Sequence, residues 1–219
     1  MHKMKGLLIK DLYYVFQRKQ TLLIFLIVSL ILGFTNEGSF LVGYMTLLGT
    51  IISLSTISYD NADNGMPFLM TLPISRKEYA LSKYVFGAVL CTVSWIVAVG
   101  IDVLISFVSK TNGTDLIDNL ESGIAFLFMA FLFIDLMIPF YLKYGPEKSK
   151  IVLALIYGLG IAAVMIFEKK FSAIDMGNII KIISSIPNFC YIIVSGFLFC
   201  IFTIVSINIS SKIMKEKTF

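Results

Sequence analysis

The chain has 219 residues, 58% of them hydrophobic and 15% charged, with a formal net charge of +4. A soluble domain carries about a quarter charged residues, so this balance excludes an ordinary water-soluble fold and indicates an all-α, polytopic membrane protein. The length fits one membrane domain, residues 1–219, and leaves no room for a soluble catalytic domain.

The first 19 residues form a charged leader. At 100° per residue, Met4, Leu8, Ile9, Leu12, Val15 and Phe16 fall on one side, and Lys3, Lys10, Asp11, Gln17 and Arg18 on the other. This predicts an N-terminal interfacial amphipathic helix lying in the headgroup layer, with a helix packed on a soluble partner as the alternative. Six apolar runs follow, at residues 20–34, 39–58, 84–108, 122–142, 151–167 and 188–211, each a candidate span. The first is short, so Arg18 and Lys19 are expected to snorkel to the headgroups.

Between the second and third runs lies a polar connection, residues 59–83. It opens on DNADNG (Asp60–Gly65), continues as apolar MPFLMTL, and stops at Pro73. Next comes Ser75-Arg-Lys-Glu78, a capping box in which the Ser75 hydroxyl accepts from an amide three residues on and Glu78 reaches back to the Ser75 amide. The pattern predicts a small helical knuckle braced by a well-capped helix that runs into the third span. Such a shape suits either force transmission from a partner or an ordinary connection.

Two acids fall inside spans, Asp102 and Asp135. Asp102, near the outer end of its run, is expected to reach the headgroups. Asp135 is expected to lock its helix to a neighbour through a Ser, Thr or Tyr, or to line a substrate route. Pro139 should kink that helix or free a backbone carbonyl. Ala154, Gly158 and Ala162 recur every four residues and offer a face for close helix packing. Residues 168–187 are semi-apolar and read as an outer re-entrant segment.

Fourteen of the Lys and Arg residues fall on one side of this arrangement and four on the other, which predicts both termini and the 59–83 loop on the cytoplasmic side. Cys91, Cys190 and Cys200 lie in apolar surroundings and read as small buried hydrophobes. The single histidine, His2, makes a metal site implausible. No phosphate-binding G-x-x-x-x-G-K-[ST] loop or hydrolase motif occurs, so no enzyme activity is expected of this chain.

Three stretches resemble ABC-2 type transporter permeases of the small six-span class. They are MKGLLIKDLYYVFQRK from Met4, SYDNADNGMPFLMTLPISRKEYALSKY, and IPFYLKYGPEKSK over Ile138–Lys150. Within that class the chain is similar to membrane subunits of phenol-soluble-modulin-type peptide exporters. It departs at Met66-Pro67, where the family more often carries Trp or another bulky residue.

The resemblance implies that the 59–83 loop is a cytoplasmic coupling helix between spans 2 and 3, seated on a separate ATPase subunit. Asp60, Asn64, Gly65, Phe68, Leu69, Leu72, Pro73, Arg76 and Glu78 are then its partner-binding residues, with Phe68 and Leu69 as apolar anchors. Tyr144, Gly145, Glu147 and Lys148 would form a second cytoplasmic contact. It further implies a bacterial plasma-membrane location, ATP and Mg bound only by the partner, a second permease chain as homo- or heterodimer, and an amphipathic or hydrophobic peptide cargo. No nucleic acid is expected among the partners. Two other readings remain open: a non-transporting membrane immunity or regulatory protein, and an ion-coupled carrier using Asp102 and Asp135.

Overall fold

In the computed structural model of the chain, residues 2–35, 38–62, 65–109, 113–171 and 188–217 are described. Among them all regular structure is helical: α1 (His2–Gln17), α2 (Lys19–Thr35), α3 (Gly38–Asn61), α4 (Gly65–Thr71), α5 (Arg76–Ser109), α6 (Gly113–Phe171) and α7 (Asn188–Glu216).

By length and composition, four described helical segments can cross a membrane: Phe40–Asn61, Arg76–Val108, Asn119–Ser149 and Gly196–Glu216. They coincide with the second, third, fourth and sixth apolar runs. The first run lies in α2, which qualifies only together with α1, across a 68° bend. The fifth run falls in the second arm of α6, where the backbone is helical but most side chains lie outside the described residues. Residues 172–187, most of the expected re-entrant segment, also lie outside them, as does the packing of Gly158 and Ala162.

Helix ends follow caps rather than hydropathy. The third run begins at Tyr84, but α5 already begins at Arg76, behind its capping box. Pro139 keeps a helical backbone, and the break in α6 falls instead at Gly145, with φ 78° and ψ 171°. A side chain would strain that left-handed φ, and the following Pro146 cannot donate an amide back into the first arm.

The hub is α3. In its most apolar stretch 61% is buried, against 17% in α5, 33% in α6 and 22% in α7. Its hidden hydroxyls satisfy themselves locally: Thr46 donates to the Val42 carbonyl at 2.6 Å and Thr50 to the Thr46 carbonyl at 2.9 Å. This leaves small, neutral surfaces that let α5 approach closely, with Cys91 Sγ 3.4 Å from Thr50 Oγ1. By contrast α2, α5 and α7 expose rows of Leu, Ile, Val and Phe, the surface that a bilayer covers. Cys91 is buried as expected; Cys200 is exposed on α7, because that flank of the helix faces outward.

Candidate functional site

The knuckle is α4, seven residues long. Adjacent residues on a helix point about 100° apart, and this divides the two expected anchors. Leu69 is buried, with Met66, in the apolar core that also holds Leu54, Ile57, Tyr79 and Ala80, whereas Phe68 is 69% exposed. Leu72 and Pro73 are exposed as well. Leu69 therefore seats the knuckle on its own bundle, and the outward apolar surface belongs to Phe68 and Leu72. Gly65 is required by close approach: a Cβ there would lie 2.9 Å from the Asp60 carbonyl oxygen. Asn64 lies outside the described residues.

The capping box forms as the spacing predicts. The Ser75 amide donates to Glu78 Oε2 at 2.9 Å, and the Glu78 amide to Ser75 Oγ at 3.1 Å. Glu78 is thus held in the start of α5. Arg76 reaches the far end of the chain, where its Nη1 donates to the carbonyls of Met214, Lys215 and Lys217 at 3.2, 2.8 and 2.9 Å. A cation is favoured at a helix C-terminus, where carbonyls lack helical partners. Lys217 in turn donates from Nζ to the Leu142 carbonyl at 2.9 Å, and burial pulls its ammonium below the usual lysine pKa. The base of the knuckle is therefore tied to α7, and the end of α7 to α6.

Asp60 belongs to a buried ionic cluster that joins α1, α3 and α5. Lys83, 2% exposed, donates to both carboxylate oxygens of Asp11 at 2.8 Å, lies 2.7 Å from Asp60 Oδ2, and donates to Thr56 Oγ1 at 3.1 Å. Tyr79 donates its hydroxyl to Asp60 Oδ2 at 2.9 Å, and Lys10 pairs with Asp60 and, at 3.3 Å, with Asp11. Two cations face two carboxylates, so the cluster is neutral as a whole. Asp11, expected on the outer polar face of the leader, is instead turned into the protein. Leu7, Tyr14 and Val15 are buried beside it, while Ile9, Leu12, Tyr13 and Phe16 stay exposed. Lys10, Asp11, Tyr79 and Lys83 were not expected as a unit. The available signal was that opposite charges stand at the ends of separate apolar segments.

The second expected contact surrounds the break in α6. Tyr144, Gly145, Glu147 and Lys148 line a cavity of about 430 Å³ together with Ser58, Asn61 and Ala62 from the end of α3. The chain leaves α3 for the knuckle beside this cavity, so the two stretches are neighbours in space. The Tyr144 ring stacks on Phe140 at 6.3 Å, with Lys143 Nζ 5.1 Å from its centroid.

Both intramembrane acids are buried and bonded. Asp135 accepts from Thr203 Oγ1 at 2.6 Å, and its backbone carbonyl accepts from Ser206. Ser206 and Ser210 lie 2.6 and 2.7 Å from the Tyr84 hydroxyl. This seam ties α5, α6 and α7. Asp135 also stands at the edge of a cavity of about 360 Å³, lined mainly by apolar groups such as Leu136, Phe140, Phe202 and Ile209. Asp102, expected to reach headgroups, is buried and accepts from Asn119 Nδ2 at 3.3 Å. Among the described residues, no group of His, Cys, Asp and Glu could hold a metal ion.

A family model described as ABC-2 family transporter protein matches residues 6–215. No curated protein and no solved structure matches the chain.

Proposed function

Since this chain belongs to the ABC-2 transporter family and is a membrane subunit of an ABC transporter, we propose that it works as an exporter permease. Its stroke comes from ATP hydrolysis in a separate nucleotide-binding subunit, and the knuckle receives it. The observation that carries this reading is the division of α4 into two faces. Met66 and Leu69 fasten it to the core, while Phe68, with Leu72 just past the end of the helix, presents exposed apolar surface. A large exposed aromatic on a fixed mount is the kind of group that centres an interface.

Force applied to Phe68 has a stiff route onward. Pro73 and the Ser75–Glu78 box start α5 rigidly, Arg76 grips α7, and the ionic cluster couples α5 to α1 and α3. The groove by Tyr144, Glu147 and Lys148 supplies a second point of contact. In this reading both termini and α4 face the cytoplasm of a bacterial plasma membrane, and a second permease chain completes the unit. The cargo is an amphipathic or hydrophobic peptide; the aromatic cavity between α6 and α7 supports an apolar cargo rather than a charged one.

The test is affinity purification of the detergent-solubilised chain from its native host. An ABC-type ATPase subunit is expected to accompany it and to be lost with Phe68→Asp, while Leu69→Met leaves it bound. Retention of the ATPase by Phe68→Asp would remove the knuckle from the coupling role. The ion-coupled alternative has one observation in its favour, the placing of Asp135 beside a cavity. It requires that Asp135→Asn abolish transport driven by a pH gradient without ATP.

A further inference from the structure

The bend between α1 and α2 is lined by two cavities that share residues. One, about 170 Å³, is mainly apolar and lies between α2 and α3, with Tyr14, Val15, Leu22, Phe25, Ile51 and Ile52 among its walls. The other, about 590 Å³, is lined by the polar and charged residues Gln17, Arg18, Lys19, Gln20 and Thr21. Arg18 and Thr21 line both. A greasy cleft that opens onto a cationic mouth has the two-part chemistry of a phospholipid.

The charge at the mouth is available. The Arg18 guanidinium is held over the Tyr14 ring, 5.0 Å from its centroid, and Tyr14 is itself packed against Tyr59 at 4.6 Å between rings. Among the described residues no carboxylate lies within ion-pair distance of Arg18 or Lys19. The 17-residue α2 also starts here, so its first amides point toward the same mouth. The cations of the neighbouring ionic cluster, Lys10 and Lys83, are by contrast taken up by Asp11 and Asp60.

We propose that the α1–α2 elbow is a binding site for one anionic membrane phospholipid. Its phosphate sits on Arg18 and Lys19, and an acyl chain enters the cleft along Leu22, Phe25 and Ile52. The site needs only that the chain reside in a bilayer and is independent of cargo and of ATP coupling. A bound lipid would contact both helices at the corner and set the angle between the leader and the first apolar helix.

The experiment places the full chain in nanodiscs of equal phosphatidylglycerol and phosphatidylcholine and reads retained lipid by native mass spectrometry. Retention of phosphatidylglycerol is expected to exceed that of phosphatidylcholine by roughly tenfold, given two cations at the surface. Arg18→Gln with Lys19→Gln should bring the two lipids to parity. Lys77→Gln with Lys212→Gln, which removes the same charge from exposed positions elsewhere, should leave the preference intact. Thr21→Trp keeps the net charge, fills the cleft and should also reduce retention, so the test survives poor folding of the double variant. Parity in the parent chain, equal loss in the Lys77/Lys212 control, full retention by Thr21→Trp, or displacement by inorganic phosphate alone would each overturn the site.

Discussion

Two polar clusters hold this bundle together, and they are built on opposite rules. The cluster of Lys10, Asp11, Asp60, Tyr79 and Lys83 is dense in charge, balanced, and joins three helices. The seam of Tyr84, Asp135, Thr203, Ser206 and Ser210 contains one carboxylate among hydroxyls and opens at its edge onto a cavity. A buried ion group is costly to desolvate, and removing one member leaves its partners stranded. Hydroxyls in helices have a fallback, because each can donate to its own turn. Thr203 Oγ1 does this, lying 3.1 Å from the Phe199 carbonyl as well as 2.6 Å from Asp135. The charged cluster should therefore behave as an all-or-none clasp, and the hydroxyl seam as a forgiving one.

The largest effect is expected from Lys83→Met, which leaves the buried Asp11 and Asp60 to share a single cation, Lys10. It should destabilise the chain by about 3–5 kcal/mol, read as a drop in unfolding temperature in detergent. Adding Asp11→Asn and Asp60→Asn should recover part of that loss. If Lys83→Met costs no more than a hydroxyl deletion in the seam, the contrast between the clusters is wrong. Next comes Arg76→Ala, which frees carbonyls at the end of α7. A loss of about 1.5–3 kcal/mol is expected, with faster amide exchange over residues 210–217 but not over α3.

Ser75→Ala should cost about 1 kcal/mol as a lost helix cap. Its exchange signature should be confined to the first turn of α5, which separates local capping from the long-range clasp. The smallest effect belongs to Asp135→Asn. The amide oxygen still accepts from Thr203, so less than about 1 kcal/mol of stability is at stake. A loss comparable to that of Lys83→Met would show that the seam is as brittle as the clasp.

How far the sequence could be read depended on the range of the interaction. The Ser75–Glu78 box spans three residues, and both of its hydrogen bonds form as the spacing requires. The all-helical, membrane-embedded class followed from apolar content alone. Pairings made in space were not legible. A helical wheel placed Asp11 with the polar residues of the leader, and nothing local announces a partner 72 residues away. Arg76 enters the sequence reading through the family resemblance, and nothing local announces that its guanidinium also reaches carbonyls at the end of α7, 138 or more residues on. For Phe68 and Leu69, composition could not choose the outward member of an adjacent apolar pair; that depends on where Leu54 and Ile57 lie beneath α4. Pro139, expected to kink its helix, keeps a helical backbone, because a proline inside a long helix can be accommodated; the break falls at Gly145, in the connection between the fourth and fifth apolar runs, where a glycine at positive φ cannot be helical.

The clasp also sets a timetable. Synthesis adds about 5–20 residues per second, so Asp11 exists for roughly 4–14 s before Lys83, which stands 72 positions later, is made. For that interval α1 lacks the counter-charge that α5 will supply. Only when Lys83 arrives can α1 close against α5.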